Sequence, residues 1–188
     1  MPNDRDKRSL ASYKNGDFVI VSTQQGRTPP ADCRVIAVRP EGIPQPLKDR
    51  RQWVVWKLEE RGGKQTKVPY SPWTGERAST NDLMTWATFE EALAVYHGGE
   101  YQGIGFVFSS ADPFVGVDLE DCRDPETGDV KGWARRIIEK LPDAYVEVSP
   151  SGRGVHIITR GRLREGKRKG SVEIYGQDRF FTVTGVGA

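Results

Sequence analysis

The segment FVGVDLE, residues 114–120, constrains the fold of this chain more than any other stretch. Successive side chains of a β-strand point to opposite faces, so that residues two apart share a face. The odd-numbered positions are Val, Val and Leu, whereas the even-numbered positions after Phe114 are Gly116, Asp118 and Glu120. The pattern predicts a strand with one apolar face and two adjacent carboxylates on the other, with Gly116 leaving room beside them.

Two interpretations of the carboxylate pair stay open at this point. Like charges held this close repel unless a cation lies between them, and hard ions such as Mg²⁺ or Mn²⁺ prefer oxygen ligands. The alternative is a solvated strand end, since Asp121 and Asp124 continue the acidity.

The remaining sequence alternates short β-rich runs with two helical segments. A helix is predicted after Thr88, a good N-cap with acids in the first turn, and a second over residues 130–140. Strands are predicted at residues 17–23, 33–39, 52–58, 66–73, 103–108, 114–120, 145–148, 154–159, 172–175 and 179–184. Antiparallel strand pairs interrupted by helices indicate the α+β class.

The sequence predicts two regions, which differ in how regularly β-rich and helical segments follow one another. Residues 1–46 form a predicted N-terminal extension, with a β-hairpin from the first two runs and a linker in EGIPQPL, residues 41–47. Residues 47–188 are predicted to form one domain, which suits a chain of 188 residues.

Several classes of protein are excluded by composition. The first sixteen residues lack the apolar core of a secretory signal, and the apolar runs of four or five residues are too short to span a membrane. Cys33 and Cys122 make neither a disulfide framework nor a zinc motif. We therefore expect a cytoplasmic protein with no membrane partner, in a bacterial host cell if a phage or plasmid encodes it.

The net charge of +2 conceals an acidic block followed by a basic one. Residues 111–147 hold 5 basic and 10 acidic residues, a net of −5, and residues 148–171 hold 7 basic and 1 acidic residue, a net of +6. Such an order suits a site that holds divalent cations on one wall and polyphosphate on the other.

The segment EVSPSGRGVHIIT, residues 147–159, places His156 on a strand after a turn rich in donors. Hydroxyl and backbone N–H groups of such a turn can bind phosphate, so Ser149, Ser151 and Arg153 are candidates together with His156. The alternative for a single strand histidine is a packing residue with its hydrogen bonds satisfied. The segment is not a Walker A loop, because GxxxxGK[ST] is absent from the chain.

The segment RGRLREGKRKG, residues 160–170, carries six basic residues and one acid. It is either a solvated surface loop or a contact to phosphates, with Lys167 and Arg168 as the candidates and Lys169 beside them. The next predicted strand adds a third carboxylate, Glu173, which could complete a two-metal site with the acidic pair.

Taken together, these segments resemble the archaeo-eukaryotic primase superfamily, and within it the primase-polymerase domains of phages and plasmids. The resemblance spans residues 52–185, and it rests on the order and spacing of QWVVWK, KVPYSPWTGERAST, TWATFEEAL, GIGFVF, DLE, SPSGRGVHI and EIYGQDRFFTVTG. It implies an RRM-like antiparallel sheet carrying the acids, with an additional α/β unit beside it.

The resemblance also implies the role of each site residue. Asp118, Glu120 and Glu173 correspond to the ligands of two Mg²⁺ or Mn²⁺ ions, and His156, with Arg153, to the contact with the incoming nucleoside triphosphate. Many members of the family have Ser-x-His, whereas here Gly154 stands two before His156. Lys64 and Lys67 are weaker candidates for phosphate contact.

The implied activity is template-directed nucleotidyl transfer, as a DNA primase or DNA polymerase. The expected partners are a single-stranded DNA template, nucleoside triphosphates and a helicase domain or protein. Two alternatives remain: a metal-dependent nuclease, for which two carboxylates and a metal serve equally well, and a catalytically silent nucleic-acid-binding module. A restriction-type nuclease usually has Lys two positions after its last acid, where this chain has Cys122 or Tyr175.

Overall fold

The computed structural model describes residues 35–188. Its strands are β1 (Trp53–Arg61), β2 (Lys64–Tyr70), β3 (Gly103–Phe108), β4 (Phe114–Leu119), β5 (Tyr145–Val148), β6 (Val155–Arg160), β7 (Lys167–Lys169), β8 (Val172–Tyr175) and β9 (Arg179–Val183). Its α-helices are α1 (Gln45–Lys48), α2 (Phe89–His97) and α3 (Gly132–Ile138), with 3₁₀ turns at Pro40–Gly42 and Leu83–Thr85. No helix in this part of the chain is long and apolar enough to span a membrane.

The strands form two antiparallel sheets, which confirms the predicted α+β class. The first sheet has the order β2-β1-β3-β9, and the second has the order β5-β6-β4-β8-β7. We call these the four-stranded and the five-stranded sheet. All their pairings are antiparallel.

The larger core lies between the two sheets and under α2. Phe106, Phe108 and Phe181 of the four-stranded sheet pack with Phe114 and Ile158 of the five-stranded sheet. Helix α2 adds Phe89 and Ala92 to the same cluster, and Thr88 caps it with the predicted geometry, in which its side chain and that of Glu91 accept each other's backbone N–H.

A second core lies on the other face of the five-stranded sheet. Val117 and Leu119 of β4 pack there with Ala134 of α3, and the apolar face predicted from FVGVDLE is therefore buried against this helix. The opposite face of β4 points toward the four-stranded sheet.

Gly116 serves the packing of the two sheets. A Cβ at this position would lie 2.5 Å from Cζ of Phe108 and 2.6 Å from Cε2 of Phe181. The room beside the carboxylates was expected to face the site, but the aromatic rings of the four-stranded sheet fill it.

Residues 41–47, which the sequence predicts as a linker, are part of the folded unit. Ile43 and Leu47 are buried in the larger core, and Trp53 donates its indole N–H to the carbonyl of Leu47 at 3.1 Å. The linker was predicted because the segment is rich in proline, at positions 40, 44 and 46. Proline is, however, compatible with the first turn of a helix, and here the prolines lie at the start of the 3₁₀ turn and of α1. The domain boundary near residue 47 remains a prediction.

The predicted strand at residues 17–23, and with it the hairpin, lies outside the described residues. Of the predicted strand at 33–39, residues 35–39 are described and have no regular structure. Hydrogen bonds hold this run to the rest of the domain: Ile36 N–H donates to the carbonyl of Pro150, and Arg39 N–H donates to the carbonyl of Thr184.

Candidate functional site

Five ionisable side chains form one row across the five-stranded sheet. The register pairs Glu147 of β5 with His156 of β6, His156 with Asp118 of β4, Asp118 with Glu173 of β8, and Glu173 with Arg168 of β7. Directly opposed residues share a face of the sheet and lie within side-chain contact. The row therefore places His156 between Glu147 and Asp118, and sets Asp118 beside Glu173, which Arg168 follows at the edge.

The three acids predicted to act together are neighbours. Asp118 and Glu173 oppose each other, and Glu120 follows β4 at the point where its N–H donates to Ser171, just before β8. Burial, followed by the neighbouring charges of Asp118 and Glu173, raises the pKa of Glu120 above its usual value.

Arg168 lies between two of these acids. One guanidinium nitrogen is 2.8 Å from Oε1 of Glu173, and the other is 3.2 Å from Oε2 of Glu120. Tyr175 donates its hydroxyl to the second oxygen of Glu173 at 2.7 Å. A cation thus already neutralises part of the acid cluster.

The donor chemistry of the cluster suits a hard divalent ion. Asp118 and Glu173 are carboxylates on adjacent strands, Glu120 directly follows β4, and the guanidinium shows that positive charge fits between Glu120 and Glu173. As the side chains stand, no group of three or more His, Cys, Asp or Glu within residues 35–188 is gathered closely enough to hold a metal. Binding would require the side chains, including Arg168, to rearrange.

His156 is buried and held in one orientation. Its side chain is 4% exposed, its Nδ1 lies 3.2 Å from Oε1 of Glu147, and its ring packs on Phe181 with centroids 5.0 Å apart. Its Nε2 lies 3.8 Å from Oδ1 of Asp118, so this nitrogen faces the acids.

Glu147 is a site residue that the sequence analysis missed. Its side chain is fully buried, and it accepts hydrogen bonds from the Tyr145 hydroxyl at 2.6 Å and from the N–H groups of Thr184 and Gly185 at 2.9 and 2.8 Å. The available signal was an acid inside a β-rich run, two positions before the Ser-Pro-Ser-Gly turn.

The serines of that turn bond within the turn. Ser149 Oγ accepts the N–H of Gly154 at 3.1 Å and lies 3.1 Å from Ser151 Oγ, which accepts the N–H of Arg153 at 3.3 Å. Gly152 has a φ of +75°, which favours glycine. The hydroxyls therefore shape the turn that leads into β6.

The Arg153 side chain lies beyond the row. It lines a depression of about 630 Å³ together with Arg123, Asp124 and Lys131. Arg153 thus lies outside the row, on the turn that leads into β6.

The basic segment at 160–170, expected to be a loop, contains the short edge strand β7. Side chains alternate along a strand, and Arg168 faces the acids, so Lys167 and Lys169 belong to the other face. The register brings one of the two predicted phosphate contacts, Arg168, to the site, and not Lys167.

Lys67 approaches the row from the four-stranded sheet. Its ammonium donates to the Thr182 hydroxyl at 3.4 Å. The pKa of Lys67 is lowered, because desolvation by the surrounding protein outweighs the opposing charges of Asp118, Glu147 and Glu120. The residue is nevertheless exposed to solvent. Lys64, at the β1–β2 hairpin, is likewise exposed.

The fold and the row have the features that the resemblance to archaeo-eukaryotic primases implies: an antiparallel α+β core, an acid-x-acid strand, and a histidine and a third acid on the strands at either side. Among curated proteins, the chain is similar to the DNA primase-polymerase of Nitratiruptor phage NrS-1, with 37% identity over 143 residues. This similarity confirms the predicted resemblance to phage primase-polymerases.

The alignment covers 71% of this chain but 19% of the phage protein, so the chain spans about a fifth of the length of that relative. No family model matches the chain.

Proposed function

We propose that this chain contains the catalytic domain of a DNA primase-polymerase, which joins nucleotides on a single-stranded DNA template. The observation that supports this most is the position of Asp118, paired with His156 on one side and with Glu173 on the other. The similarity to a phage DNA primase-polymerase supports the same activity.

The proposed reaction is attack of a 3′-hydroxyl oxygen on the α-phosphorus of a nucleoside triphosphate. A new P–O bond forms, the bond between the α-phosphorus and the bridging oxygen breaks, and pyrophosphate leaves with that electron pair. Such a step needs positioning and neutralisation of charge more than covalent catalysis.

Asp118, Glu120 and Glu173 would hold Mg²⁺ or Mn²⁺ in this proposal. When bound, such ions neutralise the triphosphate and favour loss of the proton from the 3′-hydroxyl. The carboxylates position the ions, and their placement on adjacent strands of a packed sheet limits the freedom of Asp118 and Glu173.

His156 would contact the triphosphate through Nε2. Glu147 accepts from Nδ1–H and so fixes the ring, which leaves Nε2 directed at the site. With a proton on Nε2 as well, the imidazolium donates to a phosphate oxygen. Arg153 and the Ser149–Ser151 turn are proposed to contact the outer phosphates, and Lys67 adds a charge from the facing sheet.

Primer synthesis on single-stranded DNA with labelled nucleotides and Mn²⁺ tests the proposal. We expect Asp118→Asn and Glu173→Gln to lower product formation by at least about a hundredfold, since each removes charge at the metals. Asp143→Asn is a matched control, because Asp143 is exposed and precedes β5 outside the row. Full activity in the first two variants would overturn the assignment of the site.

Parallel reactions without nucleotides distinguish the alternatives. Metal-dependent loss of a labelled DNA strand would indicate a nuclease. DNA binding without Mn²⁺ or nucleotide binding would indicate a silent nucleic-acid-binding module. A helicase domain or protein is a proposed partner, to be sought by co-purification.

A further inference from the structure

Arg168 contacts two of the proposed metal ligands with one guanidinium group. Its nitrogens lie 2.8 Å from Glu173 and 3.2 Å from Glu120, so each carboxylate interacts with a different nitrogen. A planar guanidinium is suited to such a bridge, because its donors diverge in a fixed fork. It lies where a cation that joins these two acids would have to lie.

The strand that carries Arg168 is held weakly. Strand β7 has three residues, all exposed, and it pairs only with β8 at the edge of the five-stranded sheet. Gly166 and Gly170 flank it. The Arg168 side chain is 62% exposed and that of Glu120 is 44% exposed, although that of Glu173 is only 13% exposed; ion pairs that water reaches on one side contribute less to stability than buried ones. The guanidinium can therefore leave the acids without disrupting the core.

The guanidinium and a divalent ion compete for Glu120 and Glu173. Arg168 and Tyr175 already occupy both oxygens of Glu173, Arg168 also contacts Oε2 of Glu120, and two cations this close repel each other. A displaced guanidinium beside a bound triphosphate has a new partner of the right shape, since arginine binds phosphate oxygens with two parallel hydrogen bonds.

We propose that Arg168 is the resident counter-cation of the acid cluster, which divalent metal displaces and which then binds the nucleotide's phosphates. The inference rests on the proposed function, because it takes the three acids as metal ligands. It assigns Arg168 a positioning role in two states: bound to the acids before the metal, and bound to the nucleotide after it. Metal and nucleotide binding are then coupled through one side chain.

This role predicts opposite effects on two affinities. Without Arg168, metal alone binds more tightly, because no guanidinium has to be displaced. Nucleotide binds more weakly in saturating metal, because a phosphate contact is lost. A merely structural role for Arg168 predicts that both affinities fall together.

The test uses the full chain as wild type, Arg168→Ala and Arg168→Gln, with Lys169→Ala as the control of equal charge change on the other face of β7. Free Mn²⁺ is measured by electron paramagnetic resonance without nucleotide. Binding of a fluorescent nucleoside triphosphate is measured by anisotropy in saturating Ca²⁺. Circular dichroism checks that each variant is folded. If Arg168→Ala does not fold, the comparison uses Arg168→Gln, which keeps hydrogen-bonding capacity.

We expect the Arg168 variants to bind Mn²⁺ about threefold to tenfold more tightly, because the metal no longer has to displace two solvent-accessible ion pairs. Their nucleotide affinity falls, and Lys169→Ala changes neither quantity. Unchanged or weaker Mn²⁺ binding in the Arg168 variants would overturn this inference, while Mn²⁺ binding that depends on Asp118 would leave the proposed function standing. Mn²⁺ binding unaffected by Asp118→Asn would overturn the metal site itself.

Discussion

Nδ1 of His156 lies 3.2 Å from a carboxylate oxygen of Glu147 that no solvent reaches. A buried carboxylate needs several donors, and the Tyr145 hydroxyl and the N–H groups of Thr184 and Gly185 complete the set. The proposed phosphate contact of the site is therefore oriented by an acid that belongs to the interior.

Replacing Glu147 by Ala should destabilise the fold strongly. The change leaves several buried donors without an acceptor, and breaking such a cluster typically costs about 3–5 kcal/mol. Urea unfolding followed by tryptophan fluorescence measures the difference. A loss below about 1 kcal/mol would contradict the buried network.

Glu147→Gln is the milder variant and tests the orientation of His156. The amide oxygen can still accept from Thr184 and Gly185, but the amide nitrogen then faces Nδ1, which must become an acceptor. We expect a folded protein in which the neutral ring is protonated on Nε2 instead of Nδ1. Nitrogen-15 NMR of labelled histidine distinguishes the two tautomers, and an unchanged tautomer would count against the Glu147 contact.

Gly116→Ala should destabilise the packing of the two sheets by about 1–3 kcal/mol, the usual cost of overpacking. Its Cβ would meet the rings of Phe108 and Phe181 at 2.5 and 2.6 Å. Gly187→Ala is the matched control, since nothing lies within 4 Å of a Cβ there. Adding Phe108→Leu to the Gly116 variant should restore part of the stability, and equal melting temperatures of the two alanine variants would refute the close approach.

Lys67→Ala should raise the KM for nucleotide about tenfold or more, because a charged hydrogen bond to phosphate is lost. Lys64→Ala removes the same charge from the same strand at its exposed hairpin end and should leave the KM close to wild type. Lys67→Arg should restore most of the affinity. Steady-state primer extension provides the values, and equal effects of Lys64 and Lys67 would show that only overall charge matters.

Cys122 should resist alkylation in the folded protein. The thiol is fully buried, and burial raises its pKa, so the reactive thiolate is scarce. A Cys33→Ser variant leaves Cys122 as the single thiol of the chain. Labelling with a maleimide dye should be slow in buffer and fast in urea; fast labelling in buffer would show that the second core opens readily.

The face of β4 that carries Asp118 could be predicted from the sequence, because side chains alternate along a strand and Asp118 falls opposite the apolar face. The sequence could not give the register between distant strands, and therefore not the pairing of His156 with Glu147 or of Arg168 with Glu173. Those pairings arise from tertiary packing, which no local pattern encodes.

A prediction from composition was wrong where tertiary contacts decide the structure. Ile43 and Leu47 lie in a proline-rich segment that was predicted to be a linker, yet both side chains are buried in the core. Likewise Lys167–Lys169 pairs as a strand although its residues are basic and exposed, because β8 offers a free edge.

A crystal of the protein soaked with Mn²⁺ and a nucleoside triphosphate would show directly which residues hold the metal. We expect anomalous manganese density bound by Asp118, Glu120 and Glu173, with a triphosphate oxygen at Nε2 of His156 and with Arg168 moved away from the acids. Nucleotide and metal bound elsewhere, with Arg168 still bridging Glu120 and Glu173, would contradict it.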